Sequence, residues 1–171
     1  DTRHGLLDAV VFSGGEPTAQ ASLGSAMRAV RDRGFAVGLH TGGIYPRRLA
    51  DLCDLVDWVG LDIKAPVARY GRVTGIEMSG PAAFASLAIL QRAGVSHEVR
   101  TTVHHLLLPD EDLVALAREL AESGVRDWTL QMFRPVGCSN PALNATAPQG
   151  ERLSGDLVDE LRRFVPGIEV R

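Results

Sequence analysis

Residues 9–41 read AVVFSGGEPTAQASLGSAMRAVRDRGFAVGLHT, and one full unit of the fold lies within them. Ala9-Val10-Val11-Phe12 is a short apolar run with the character of a strand. Ser13-Gly14-Gly15-Glu16-Pro17 breaks it with turn-forming residues. Leu23, Ala26, Met27 and Val30 then recur at i, i+3, i+4 and i+7, which is one apolar stripe of a helix, and Gly34 stops it. Phe35-Ala36-Val37-Gly38-Leu39 returns to strand. Strand, helix, strand is a βαβ unit, in which the helix carries the chain back so that the two strands pair in parallel.

The alternation continues outward. Pro46 opens a short helix through Leu49, Leu52 and Cys53, and Trp58-Val59-Gly60-Leu61-Asp62-Ile63 is a strand. Phe84, Leu87, Ala88 and Leu90 mark a helix closed by Gly94. His97 to Val103 reads as strand. Asp110 is the expected N-cap of a helix carrying Leu113, Leu116, Ala117 and Leu120. Trp128 to Met132 is strand, and the Pro/Asn/Gly-rich stretch from Pro135 to Gly150 is a loop. Ser154 is placed to cap a last helix with Leu157, Leu161 and Phe164, and Ile168-Glu169-Val170 reads as a final strand. No linker divides the series, so residues 1–171 are expected to form one α/β domain with parallel strands. The pattern alone does not separate an open sheet from a barrel. In either, functional groups gather at the C-terminal ends of the strands.

Composition narrows the class. With 45% hydrophobic and 23% charged residues the chain has the material for a core. Net charge is −3, and no basic stripe of the kind that binds nucleic acid is present. No apolar run approaches the ~18 residues of a membrane span, and no signal peptide is visible. Cys53 and Cys138 match no metal or redox spacing. One disulfide is arithmetically possible, but two separate thiols of a cytoplasmic protein are the expectation.

Three features carry chemistry. Gly14 and Gly15 follow a strand, where they let backbone approach a ligand, and Glu16 just beyond suits an ammonium group. An ordinary Gly-rich turn is the plain alternative. Asp62-x-Lys64 ends another strand, and residues two apart share a face. Lys64 there could meet a carboxylate, although a local ion pair also accounts for the pattern. Arg100 interrupts an apolar, β-branched strand, so an inward Arg100 implies an anion, and an edge strand would turn it to water. Together the three suit a free amino-acid head group. Among other candidates, His104 and His105 are adjacent; in a strand they would point to opposite faces and make a poor metal pair, so plain surface residues are the expectation. Ser13 has no evident His and Asp partners for a hydrolase triad.

VVFSGGEPTAQ resembles the second-strand motif of the radical S-adenosylmethionine (SAM) superfamily. LDIKAP resembles the D-x-K motif of its glycyl-radical-enzyme activases, and HTGG resembles their polar segment one strand earlier. The resemblance covers about Leu7 to Val136 and implies a partial (β/α)6-type barrel with parallel strands. It implies that Ser13, Gly14, Gly15, Glu16 and Pro17 form the segment around the SAM amino group. Lys64 would meet the carboxylate with Arg100 near it. Asp62 and Thr41 would belong to a polar site beside SAM. His40 stands where activases often have an aspartate, which puts a cation site there in doubt. Arg134 stands near a histidine of some activases.

The implied activity is reductive cleavage of SAM to a 5′-deoxyadenosyl radical, which would generate a glycyl radical on a partner such as anaerobic ribonucleotide reductase. Flavodoxin or ferredoxin is the implied electron donor. A radical SAM enzyme acting on a small molecule or peptide, and a non-catalytic α/β ligand-binding module, are the alternatives. The C-x3-C-x2-C loop that holds the family's [4Fe–4S] cluster lies upstream of GGEP, and nothing in residues 1–171 replaces it. The chain opens on Asp1, and the expectation is that the N-terminal strand and cluster loop precede it, so that this segment alone is inactive.

Overall fold

The computed structural model describes residues 7–146 and 153–171. In chain order the elements are β1 (Ala9–Phe12), α1 (Leu23–Arg31), β2 (Ala36–Thr41), α2 (Pro46–Ala50), β3 (Trp58–Asp62), α3 (Tyr70–Thr74), α4 (Ser79–Ala93), β4 (Ser96–Val103), α5 (Asp110–Glu122), β5 (Asp127–Met132), α6 (Pro141–Ala145), α7 (Gly155–Arg162) and β6 (Gly167–Val170). Every strand pairing described below is parallel, so the α/β class read from the sequence holds. The backbone gathers into two compact units. One takes residues up to Ile63 with Met78–Glu98, and the other takes Lys64–Glu77 with Val99–Arg171.

In the first unit β2 lies between β1 and β3, in the register Phe12↔Leu39, Leu39↔Val59 and Thr41↔Leu61. Period-two alternation then sorts the side chains. Val37, Leu39, Val59 and Leu61 share one face and are at most 1% exposed. Gly38, His40, Gly60 and Asp62 fall on the other face, with Trp58 as its one large apolar side chain in this set. Helices α1, α2 and α4 supply Leu23, Met27, Leu49, Leu87 and Leu90 to the core. The fit is tightest at Gly43, where φ is +68°. A Cβ there would lie 2.9 Å from Leu61 Cδ1 and 3.0 Å from Ser86 Cβ, and the Ser86 hydroxyl donates to Gly43 O at 2.7 Å. Only glycine meets both the conformation and the approach.

In the second unit β5 lies between β4 and β6, with Arg100↔Thr129, Thr102↔Gln131 and Thr129↔Glu169 in register. Val99, Val103, Trp128, Leu130 and Ile168 form the buried apolar set. The Trp128 indole N–H donates to Thr101 Oγ1 at 2.9 Å, which satisfies the one polar atom of the largest core side chain. Arg100, Thr102, Thr129, Gln131 and Glu169 alternate to the other face, which is therefore polar along its length. Helices α5 and α7 pack through Leu113, Leu116, Leu120, Leu157 and Leu161.

Several local expectations change. Pro109, not Asp110, occupies the N-cap of α5, and no side chain caps it. Asp110, Glu111 and Asp112 instead fill the first turn, where carboxylates favour the positive end of the helix dipole. The expected loop from Pro135 contains α6, capped by Asn140 Oδ1 accepting from Ala142 N at 3.0 Å and Leu143 N at 3.3 Å. Its end, 147–150, lies outside the described residues. Ser154 caps α7 through Leu157 N at 3.2 Å, as expected. β4 ends at Val103, as read from the sequence. His104 follows it and is buried, against the expectation of a surface residue, while His105 is exposed. Their rings stack with centroids 5.0 Å apart.

Candidate ligand site at the strand ends

The turn after β1 is built around one carboxylate. Gly14 and Gly15 have φ of +88° and +54°. A Cβ at either would meet nothing within 4 Å, so backbone conformation rather than space requires glycine. Ser13, Gly14 and Gly15 are exposed, so the peptide groups between them face solvent. Glu16 then caps the 3-10 turn Pro17–Ala19. Its Oε1 accepts from Thr18 N at 3.1 Å, from the Thr18 hydroxyl, and from the Thr41 hydroxyl at 2.7 Å. Its Oε2 accepts from Gly42 N at 2.8 Å. Thr41 Oγ1 in turn accepts from Gly43 N at 3.0 Å. Glu16 thus fastens the turn after β1 to the turn after β2. Four donors of its own chain occupy most of the roughly four lone-pair positions of a carboxylate. The sequence reading pointed this side chain at an ammonium group, and the geometry makes it first a clamp.

Pro17 is buried at the first position of that turn, where its fixed φ suits the bend. His40 is half-buried with its ring edge-on to Trp58 at 5.5 Å, as expected for two residues on one face of neighbouring strands. Asp62, also half-buried, ends β3 on that same face. Thr41 alternates to the opposite face, so register groups Asp62 with His40 rather than with Thr41.

Lys64 lies two residues beyond β3, where strand alternation no longer applies, and its side chain is exposed. It opens the second unit, and that unit fixes its backbone. Lys64 N donates to Tyr70 Oη at 3.1 Å, Val67 N donates to Glu119 Oε2 at 2.9 Å, and Arg69 pairs with the buried Asp112 at 3.5 Å. Arg100 is only 9% exposed and sits mid-strand on the polar face of β4. The expectation of an inward Arg100 therefore suits the structure better than an edge position facing water. Arg134 follows β5 and is exposed. It lines an open cavity of about 620 Å³ with Thr102, Gln131, Phe133 and Cys138.

The sequence therefore brings together Glu16, Thr41 and Gly42 in direct contact, and His40 with Asp62 on one face. Lys64, Arg100 and Arg134 belong to the second unit. Gly42 was missed as a participant because a backbone N–H leaves no mark in a sequence. Cys53 is half-buried and donates to Leu49 O at 3.4 Å; burial pushes its thiol up, and Asp54 adds to the shift. It has the character of an inert packing residue. Among the described residues no group of three or more His, Cys, Asp or Glu side chains is placed to hold a metal ion. No single helix there is long and apolar enough to cross a membrane.

Comparison with known proteins bears on this arrangement. The family described as the Radical SAM superfamily matches residues 1–128. The chain is 27% identical over 172 residues to a Methanocaldococcus jannaschii protein named "Putative glycyl-radical enzyme activating enzyme", covering 96% of this chain and 70% of that one. A crystallised domain of pyruvate-formate lyase-activating enzyme from Bacteroides vulgatus superposes with a TM-score of 0.71 at 10% identity, over 95% of this chain and 98% of that one. Streptococcus suis SuiB, crystallised with S-adenosylmethionine, gives 0.65 at 11% identity over 95% of this chain and 39% of its own length. At such identities the two structural likenesses speak to the fold alone.

Proposed function

The chain belongs to the radical SAM superfamily, and from that premise we infer that it is the SAM-binding core of a glycyl-radical-enzyme activase. The observation that carries the reading is the Gly14-Gly15 turn, open to solvent and held by the Glu16 clamp at the C-terminal end of a parallel strand. Carbonyl groups presented there suit an ammonium ion, and the held carboxylate adds negative charge behind them. Asp62 supplies a second acid on the face it shares with His40. Lys64 and Arg100 supply cations for a carboxylate. SAM held there would supply, on one-electron reduction by the donor and with release of methionine, a 5′-deoxyadenosyl radical able to take the Cα hydrogen of a glycine in the protein substrate. This chain's part is to bind and orient.

We assign the protein substrate as anaerobic ribonucleotide reductase, the electron donor as flavodoxin or ferredoxin, and the compartment as the cytoplasm. The superfamily implies a [4Fe–4S] cluster. The described residues offer no ligand set for it, since Cys53 and Cys138 stand alone.

The test is SAM binding by calorimetry on the full-length enzyme. Lys64→Ala should weaken affinity by about one to two decades, because a hydrogen bond to a charged group contributes roughly 1.5–3 kcal/mol. Lys64→Arg should rescue only in part, since a planar fork and a compact ammonium differ in shape. Unchanged affinity in a folded Lys64→Ala variant removes Lys64 from the site and with it half of the head-group reading.

A further inference from the structure

The connections of the second unit carry an uneven charge. Residues 64–77, 104–109 and 133–146 hold Lys64, Arg69, Arg72 and Arg134 against one acid, Glu77, in a chain that has 21 acids and a net charge of −3. They are joined into one surface. Strands β4 and β5 run parallel, so the connections 104–109 and 133–146 leave from the same end of the sheet. His104 ties these two together. Its Nδ1 accepts from Leu106 N at 3.3 Å, so Nε2 carries the proton and donates to Leu143 O at 3.1 Å, with the ring edge-on to Phe133. Arg72 Nη2 donates to Leu106 O at 3.2 Å and brings the first connection alongside.

Neighbouring acids do not cancel this charge. Asp112 pairs with Arg69, and Glu119 accepts from Val67 N. Asp110 and Glu111 line a separate groove with Asp156 and Glu160. Arg72 and Arg134 have no acidic partner among the described residues, while Lys64 is the cation assigned to SAM. Val67, Leu106 and Val136 are exposed on the same connections, Val136 to 94%. The connection after β5 also walls the open cavity of about 620 Å³. That volume falls in the range that accepts a small ligand or a few side chains.

We propose that this surface docks an acidic, partly apolar segment of the protein substrate, with the cavity receiving its side chains. The inference rests on the activase reading, which requires a protein substrate, and names the chemistry of the segment it takes. Complementary charge speeds encounter and fixes orientation, which matters where the rest of the chain carries excess negative charge. A protein fits better than a nucleic acid. The surface offers apolar side chains, while Tyr70 is 1% exposed, Phe133 is packed on His104, and the exposed His105 already stacks on His104, so none offers two open faces for stacking.

The experiment uses the full-length enzyme, with anaerobic ribonucleoside-triphosphate reductase of the same organism as the probe and a 20-nucleotide RNA as competitor. Binding and glycyl-radical yield are measured at low and high salt. Arg72→Glu should weaken reductase binding about tenfold or more, mostly through a slower association, and flatten the salt dependence. Arg72→Lys should restore most of both. Circular dichroism checks the fold, and Leu106→Ser provides a second variant that should weaken binding without changing the salt slope. Binding and radical yield unchanged in Arg72→Glu would overturn the docking proposal alone. RNA that displaces the reductase from the wild type at equal concentration would overturn it in favour of a nucleic-acid surface. A wild-type enzyme that neither binds nor activates the reductase would defeat the partner assignment, and the docking proposal would fall with it.

Discussion

The turn after β1 and the connections after β4 and β5 both lie at C-terminal strand ends, yet they use charge in opposite ways. In the first unit, the Glu16 carboxylate is surrounded by donors from its own chain, and what remains for a ligand is backbone. In the second unit, Lys64, Arg72 and Arg134 lack acidic partners, and Arg100 lies along a polar sheet face. One region is fixed before any ligand arrives, as preorganised binding requires. The other keeps charge available for what binds. A charged residue at a strand end is thus informative only once its own partners are known.

The largest effect is expected where the first region is least able to give. Gly43→Ala must adopt φ of +68° and place Cβ 2.9 Å from Leu61 Cδ1, with the Ala83 backbone 3.3 Å away. A left-handed conformation costs about 1–2 kcal/mol for a residue with a Cβ, and overpacking costs typically 1–3 kcal/mol. A loss of about 3 kcal/mol in urea-unfolding stability is the expected outcome. A loss below about 1 kcal/mol would mean that α4 yields to the added methyl and that the turn is less fixed than argued.

Next is the clamp. Glu16→Ala leaves Thr18 N, Gly42 N and the Thr41 hydroxyl without their acceptor. The expected loss is about 2 kcal/mol, below the sum of the separate bonds because the site is part-exposed and water can replace some of them. The matched control in the second region is Arg134→Ala, expected to change stability by no more than about 0.5 kcal/mol, as for an exposed residue without a packing role. Equal losses at both positions would erase the contrast between the two regions.

This contrast was only half legible in the sequence. Period-two and period-3.6 patterns located β2, β3, β5 and the buried stripes of α5 and α7, because burial repeats with the backbone. Arg100 also stood out, as a single cation among β-branched residues. The clamp at Glu16 left no mark in the sequence, because its donors on Thr41 and Gly42 lie 25 and 26 residues away, and no local pattern encodes that meeting. The helix α3 went unseen because YGRVT carries glycine and β-branched residues and no apolar stripe. Contacts of its approach to Glu119 and Asp112 on α5 hold it instead. His104 is 2% exposed and not the surface residue expected, because its partner Leu143 lies 39 residues away and no local pattern encodes that contact.

The smallest effect tests whether a second carboxylate in the first unit works in the same way at the other end of the sheet. Asp57 precedes β3 and accepts from Val37 N at 2.7 Å, while Arg31 donates to it at 3.0 and 3.1 Å. Its pKa is lowered chiefly by the Val37 hydrogen bond, against some burial, and further by Arg31. The sign follows from linkage. A carboxylate with a folded pKa below its unfolded value, about 3.9, stabilises at pH above that value, and loses the contribution as pH falls through the folded pKa. The Asp57 side chain is 44% exposed, so solvent screening limits the contribution. Asp57→Asn should cost about 0.5–1 kcal/mol at pH 7. The difference between wild type and variant should shrink as pH is lowered below about 4, and urea midpoints across that range measure it. A difference that persists at low pH would assign the contribution to the shape of the side chain and not to its charge.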